Sequence, residues 1–259
     1  MTFESWLEST LFKSMGVQSS STLMVHSSLR ELSTAGVKAE AVCDFLTNYL
    51  SHGNVIMPTM TWRTVNQFNN TFDVSSTPSH TGILTEIFRT QYAAHRSLHP
   101  THSVAATGVN AAYLTQSHHL SSGPCSSNSP YGLIEHSDLR ESSFILLIGV
   151  GLESCTYIHV FEEIYNEDAF LKLDNNTYYL SDTSGVKSEY ALKRHTKRTR
   201  DFHQFGRKLA KIGGLVLSQY EGCDITLINV NKLSEILHSE FKKSLLATYC
   251  CHSYLTEIK

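Results

Sequence analysis

The tightest constraint on this chain is a strand–helix–strand run near its start. Thr22-Leu23-Met24-Val25-His26 is apolar enough for a buried strand. Residues 38–51 then place Val42, Phe45, Leu46, Tyr49 and Leu50 at helical spacing, which gives one apolar helix face. Asn54-Val55-Ile56-Met57-Pro58 is a second buried strand, stopped by its proline. Two strands joined through such a helix pair as parallel neighbours with a crossover. The first sixty residues are thereby committed to an α/β sheet.

The rest of the chain extends that sheet. Residues 63–80 are polar and too long for an ordinary connection, so they read as a functional loop. A helix from about Gly82 carries Leu84, Ile87, Phe88 and Tyr92 on one face, and Ser103-Val104-Ala105-Ala106 forms a strand. Phe144 to Ile148 is the strongest buried strand; it ends in Gly149-Val150-Gly151 and leads to a helix from about Thr156 to Asp168. Beyond residue 170, Leu171–Leu173, Thr177–Leu180 and Val186–Leu192 read as short antiparallel strands. A helix near 201–212, a strand Ile225–Val230 and a helix with Asn231 as its N-cap follow. No repeat divides the 259 residues. The expectation is one α/β domain over 1–259, with a mixed, largely parallel central sheet flanked by helices and antiparallel strands added by the last third. Residues 20–170 would form its core and 171–259 its completion.

Composition removes several function classes. A net charge of −3 gives no reason to expect nucleic acid as a partner. No window is long enough to span a bilayer, and MTFESWLESTLFKS lacks the apolar run of a signal peptide, so the expected location is cytoplasmic and away from membranes. The six cysteines show no CxxC and no regular spacing, and reduced thiols follow, the Cys250–Cys251 pair included. The basic run Lys193 to Arg200 reads as a solvated face, or else as a patch for a phosphorylated ligand. The oligomeric state stays open, a homodimer among the states allowed.

Three stretches carry candidate chemistry. Ser97-Leu98-His99-Pro100-Thr101-His102-Ser103-Val104 holds two histidines, but Pro100 extends the chain at His99 and splays the rings, which argues against a metal pair. His99 is better read as a brace for its loop. Gly149-Val150-Gly151 lacks the third glycine of a dinucleotide fingerprint and is read as a sharp strand end. His159-Val160-Phe161-Glu162-Glu163 is more specific. On a helix a carboxylate three or four residues on reaches the imidazole, fixing its tautomer and raising its basicity, as a general base requires. An ordinary surface His–Glu pair has the same spacing, but this one follows the carboxyl end of a parallel strand, where open α/β sheets place ligands.

Taken together, five stretches resemble the aminoglycoside 3-N-acetyltransferase family, acetyl-CoA-dependent enzymes unrelated in fold to the GNAT acetyltransferases. They are Val25-His26-Ser27-Ser28-Leu29-Arg30, Met57-Pro58-Thr59-Met60-Thr61-Trp62, Arg96 to Ala106, Leu147 to Gly151, and Cys155-Thr156 through His159 to Glu162-Glu163. Their order and rough spacing match over about residues 20–170, and the last ninety residues match loosely. The resemblance implies acetyl-CoA as co-substrate, no metal, and a small-molecule amine as acceptor. It implies coenzyme binding by Ser27, Ser28, Leu29, Ser97, His102, Ser103 and Val104. It further implies direct transfer with His159 as general base, Glu162 orienting it and Thr59 donating to the oxyanion.

The acceptor site departs from the family pattern. Arg63-Thr64-Val65-Asn66-Gln67-Phe68 stands where carboxylates for a polycationic drug are expected, and Asp73 is the first acid after it. Arg63, Asp73 and Glu163 are therefore the candidate acceptor residues. An aminoglycoside and a nucleotide-linked amino sugar are rival acceptors. A CoA-binding protein without catalysis, and a metal-dependent hydrolase built on His99, His102 and His159, are the readings from other classes.

Overall fold

The strand–helix–strand run folds as its spacing requires. In the computed structural model, which describes residues 1–250, strands β1 (Thr22–Ser27) and β2 (Asn54–Pro58) are parallel neighbours, with Leu23 opposite Val55 and Met24 opposite Ile56. Helix α1 (Ala39–Tyr49) connects them. The remaining strands are β3 (Thr71–Asp73), β4 (His95–Arg96), β5 (Val104–Gly108), β6 (Ser143–Ile148), β7 (Leu171–Ser181), β8 (Lys187–His195), β9 (Leu215–Tyr220) and β10 (Cys223–Asn229). The other long helices are α2 (Ile158–Phe170), α3 (His203–Lys211) and α4 (Val230–Lys243).

Seven strands form the central sheet in the order β4-β5-β2-β1-β6-β10-β9. Parallel pairing is confined to its middle, β2-β1-β6. On one side β5 runs antiparallel to β2 and β4; on the other, β10 runs antiparallel to β6 and β9. Side chains alternate between the faces, as a period of two demands. Met24, Ile56, Ile145, Leu147 and Ile228 join one core with α2, α3 and α4. Leu23, Val25, Val55, Leu146, Ile148 and Leu227 join the other, with α1 and the N-terminal helical segment. Both sides of the central strands are thus covered, which explains their unbroken apolar runs.

Three expectations need correction. The stretches at 171–192 do not join the central sheet; β7 and β8 pair with each other and, through β3, form a separate three-stranded sheet. Leu171–Leu173 and Thr177–Leu180 belong to one strand, broken only by an irregularity between Leu173 and Thr177. This sheet has its own core of Val65, Phe72, Val74, Tyr178, Leu180, Tyr190 and Leu192, which explains why the polar 63–80 segment holds a strand at all. The antiparallel strands that the last third does add to the central sheet are β10 and the unforeseen β9, an edge strand with Leu217 exposed. Helix α4 is capped by Asn229, whose side chain accepts from the Lys232 N–H at 2.9 Å, and not by Asn231, which accepts from Arg140.

Gly149 behaves as a strand end should. It sits at φ +60°, and a Cβ there would come within 2.5 Å of the Ser28 carbonyl oxygen. Only glycine lets the chain leave β6 so close to the end of β1. Among the described residues no helix is long and apolar enough to cross a membrane. Cys43, Cys125, Cys155 and Cys223 are free thiols, and Cys251, the partner in the Cys250–Cys251 pair, lies outside the described residues.

Candidate active site

The site is built where β1, β2 and β6 end. Residues 59–61, leaving β2, are lashed to the loop before β5. The Thr59 N–H donates to the Ser103 carbonyl at 2.7 Å, the Thr61 N–H to the Thr101 carbonyl at 3.0 Å, and the Thr61 hydroxyl to the Pro100 carbonyl at 2.6 Å. His99 is fully buried, and its Nδ1 accepts from the N–H groups of Thr101 and His102 at 3.2 and 3.0 Å. That ring is neutral with its proton on Nε2, and burial holds its pKa well below the usual imidazole range. His99 braces the loop, as its neighbour Pro100 suggested.

The seven coenzyme candidates divide by burial. Ser27, Ser28 and His102 are half-buried and reachable, whereas Leu29, Ser97, Ser103 and Val104 are buried. The Ser97 hydroxyl accepts from the Val104 N–H and contacts His118 Nδ1, both at 2.8 Å. With His118 Nε2 only 3.0 Å from the Pro124 carbonyl, Nε2 carries the proton and Ser97 donates to Nδ1. The Ser103 hydroxyl lies 2.9 Å from that of Thr59, and Arg96 Nε reaches both oxygens at 3.1 Å. These residues shape the loop from within. The placement does not favour Thr59 as an oxyanion donor, because its hydroxyl is fully buried and already bonded on two sides.

His159 and Glu162 meet as the helical spacing requires. At the start of α2, His159 Nδ1 lies 2.7 Å from Glu162 Oε2. The imidazole is partly open to solvent at 18% exposure, whereas the carboxylate is fully buried. Two residues that the sequence did not single out hold the other oxygen. Arg200 Nε donates to Oε1 at 2.7 Å and the Thr248 hydroxyl at 2.5 Å. Burial works against ionisation of Glu162, but His159 and Arg200 outweigh it and hold its pKa below the ordinary value. The ionised Glu162 accepts a hydrogen bond from the Nδ1–H of His159, which leaves Nε2 to act as a base. A second imidazole, His195 at the end of β8, lies 4.2 Å from the His159 ring. That dyad can accept a proton at one defined atom.

The acceptor candidates do not converge. Arg63 is exposed and packs over the Trp62 ring at 5.1 Å. Asp73 closes its own turn, accepting from the N–H groups of Ser75 and Ser76 at 3.0 and 2.7 Å. Glu163 points toward Cys125, whose N–H donates to Oε1 at 2.7 Å, and its Oε2 has no partner. Burial raises the Glu163 pKa to about 8. Because the folded value exceeds the unfolded one, the native state holds this proton longer, and stability falls as pH rises from about 4.5 to about 8. Glu163→Gln is therefore expected to be near neutral at pH 5 and to stabilise by about 2 kcal/mol above pH 8, read by urea denaturation at both values.

Three cations of the basic run are paired, while Lys197 is exposed. Lys193 pairs with Glu167 at 2.9 Å, Arg194 with Asp174 at 2.5 Å, and Arg200 with Glu162. His99 and His102 form no ligand cluster among the described residues. Two trios do have ligand atoms mutually within 4.8 Å: Cys125, Glu163 and His195, and His159, Glu162 and His195.

Comparison with known proteins places the chain in a family. The aminoglycoside 3-N-acetyltransferase family model matches residues 24–242. A prophage-derived aminoglycoside N(3')-acetyltransferase-like protein, YokD of Bacillus subtilis, is 26% identical over 171 residues, covering 58% of this chain and 61% of its own. Aminoglycoside N(3)-acetyltransferase III of Pseudomonas aeruginosa is 24% identical over 169 residues, covering 57% and 59%. The aligned parts thus span about three fifths of the length of these curated relatives. The crystal structure of YokD superposes with a TM-score of 0.72 at 20% identity, covering 93% of this chain and 99% of that one. AAC-IIIb, solved as a binary complex with CoASH, gives 0.74 at 15% identity over 93% and 97%. With more than half of its length matched by the family model, the chain belongs to the aminoglycoside 3-N-acetyltransferase family.

Proposed function

We propose that this protein is an acetyl-CoA-dependent N-acetyltransferase acting on a primary amine of an aminoglycoside or amino sugar. The observation that carries the reading is the His159–Glu162 pair at the carboxyl end of the parallel strands, its carboxylate fixed by Arg200 and Thr248. An alkylammonium has no lone pair and cannot attack. Nε2 of His159 removes one proton, and the amine nitrogen forms its bond to the thioester carbonyl carbon. The C–S bond breaks and coenzyme A leaves as thiolate; the acylated nitrogen sheds its second proton to water and the imidazolium gives its own to the thiolate, so the products are the amide, coenzyme A thiol and one proton. Glu162 stabilises the transient imidazolium. Ser27, Ser28 and His102 contact the coenzyme, while Ser97, Ser103, Val104 and Leu29 hold the loop that receives it.

The charges around the site favour a weakly cationic acceptor. Glu162 is matched by Arg200, Glu167 by Lys193, Asp174 by Arg194, and Asp73 by its own turn. Glu163 keeps its proton below pH 8. None of these carboxylates is free to meet a polycation, and the exposed Arg63 adds repulsion. The test is acetyl-CoA-dependent thiol release with kanamycin-type aminoglycosides, simple amino sugars and nucleotide-linked amino sugars. The expected result is turnover, with kcat/KM at least ~10-fold higher for a mono-amino sugar than for the drug. A preference for the drug would overturn the acceptor assignment. Silence on every amine, with coenzyme A still bound, would overturn the enzyme.

A further inference from the structure

We propose that Cys125, Glu163 and His195 form a binding site for one divalent transition-metal ion of the zinc type, beside the catalytic pair and distinct from it. Their ligand atoms lie within 4.8 Å of one another. Glu163 Oε2 and both ring nitrogens of His195 are shut off from solvent and lack hydrogen-bond partners, Glu162 Oε2 standing 3.9 Å from His195 Nδ1. The Cys125 thiol has a single long contact, 3.8 Å from the Thr156 carbonyl. Buried polar atoms left unbonded in a native fold are uncommon and costly, and two such residues sharing one point with a thiol are rarer still. A cation at that point would take Glu163 Oε2, the Cys125 sulfur and one ring nitrogen of His195.

The donor set selects the kind of ion. A thiolate, an imidazole and a carboxylate oxygen suit zinc and its neighbours, not magnesium or calcium. Tetrahedral zinc needs ligand atoms roughly 3.5 Å apart, so the closure required is of side-chain size. Three protein ligands leave the fourth position open, and Glu163 also lines a cavity of about 420 Å³ with Ser126, Ser127 and Lys193, from which water can fill it. The other trio is a poorer host. Both Glu162 oxygens are already occupied, by His159 on one side and by Arg200 and Thr248 on the other. A cation there would also meet the Arg200 guanidinium.

Burial holds the Cys125 thiol and the Glu163 carboxyl protonated at neutral pH, and keeps His195 neutral. Thiolate and carboxylate bind the ion only in their deprotonated forms, so loading is accompanied by proton release and weakens as pH falls. A metal on His195 places positive charge next to the His159 ring, 4.2 Å from it, and opposes the imidazolium that acetyl transfer requires. This inhibitory consequence rests on the catalytic reading; the binding itself does not.

The experiment titrates chelator-stripped protein with Co²⁺, following thiolate-to-cobalt absorption in the near ultraviolet and proton release, then displaces cobalt with Zn²⁺. One cobalt per chain with a thiolate band is expected, the band absent in Cys125→Ser and binding at least ~100-fold weaker in Glu163→Gln. Glu163→Gln keeps the acceptor for the Cys125 N–H, and circular dichroism confirms that both variants are folded. Absence of the band in the parent protein overturns the site. So does a band that survives in Cys125→Ser, which would place the ion on other thiols. Zinc should inhibit acetyl transfer by the parent and spare Cys125→Ser. Equal inhibition of both would move the ion to His159–Glu162 and overturn the assignment. If no acceptor is turned over, the cobalt titration still decides the site.

Discussion

Replacing His159 with alanine is expected to lower kcat/KM for acetyl transfer by about 10² to 10⁴, the usual contribution of a positioned general base. The loss should fall on kcat, with coenzyme A affinity, read by calorimetry, changed less than about threefold. The reason lies in the placement. The ring sits at the start of α2, partly open, with Nδ1 committed to Glu162 and Nε2 left to accept a proton. Truncation removes the base without touching the braced loop at 97–104, whose bonds run among Ser97, His99, Thr101 and His118. A variant retaining activity within tenfold of the parent would remove His159 from the chemistry.

Glu162→Gln should cost more in stability than any change on the surface, about 3 kcal/mol by chemical denaturation. Its carboxylate is fully buried and shared by three donors, and the amide leaves the Arg200 guanidinium without a counter-charge. The acid side of the stability profile follows from the same contacts. The folded-state pKa lies below the ordinary value, so this stability is fully present above about pH 4.5 and is lost as pH falls through the lower folded pKa. Adding Arg200→Met to Glu162→Gln removes the stranded charge, and part of the stability should return while activity stays low. Recovery of both together would mean that Glu162 serves the fold alone.

What the sequence made legible was local. β1, α1, β2 and β6 stood out because both faces of the central strands are covered, so their apolar runs are unbroken. The His159–Glu162 contact was readable because three residues on a helix bring two side chains together. The partners that fix Glu162 were not readable, since Arg200 and Thr248 arrive from 38 and 86 residues away. Arg200 lay inside a run of like charge, and charge along a line does not show that its members turn inward to separate carboxylates. The three residues of β3 were lost in a polar stretch because their pairing with β7 is set by tertiary contact. Burial was equally invisible: Ser97, Ser103 and Val104 occur in the expected motif, yet they shape the loop from below its surface.

Direct transfer by His159 requires that no acetyl group ever resides on the protein. Intact-mass spectrometry after mixing the chain with acetyl-CoA, with acceptor withheld, tests this in one step. The expected spectrum is that of the unmodified chain, with coenzyme A released only once an amine is added. A stoichiometric acetyl adduct that forms before the amine and disappears with it, whether on His159 or on Cys125, would contradict the mechanism.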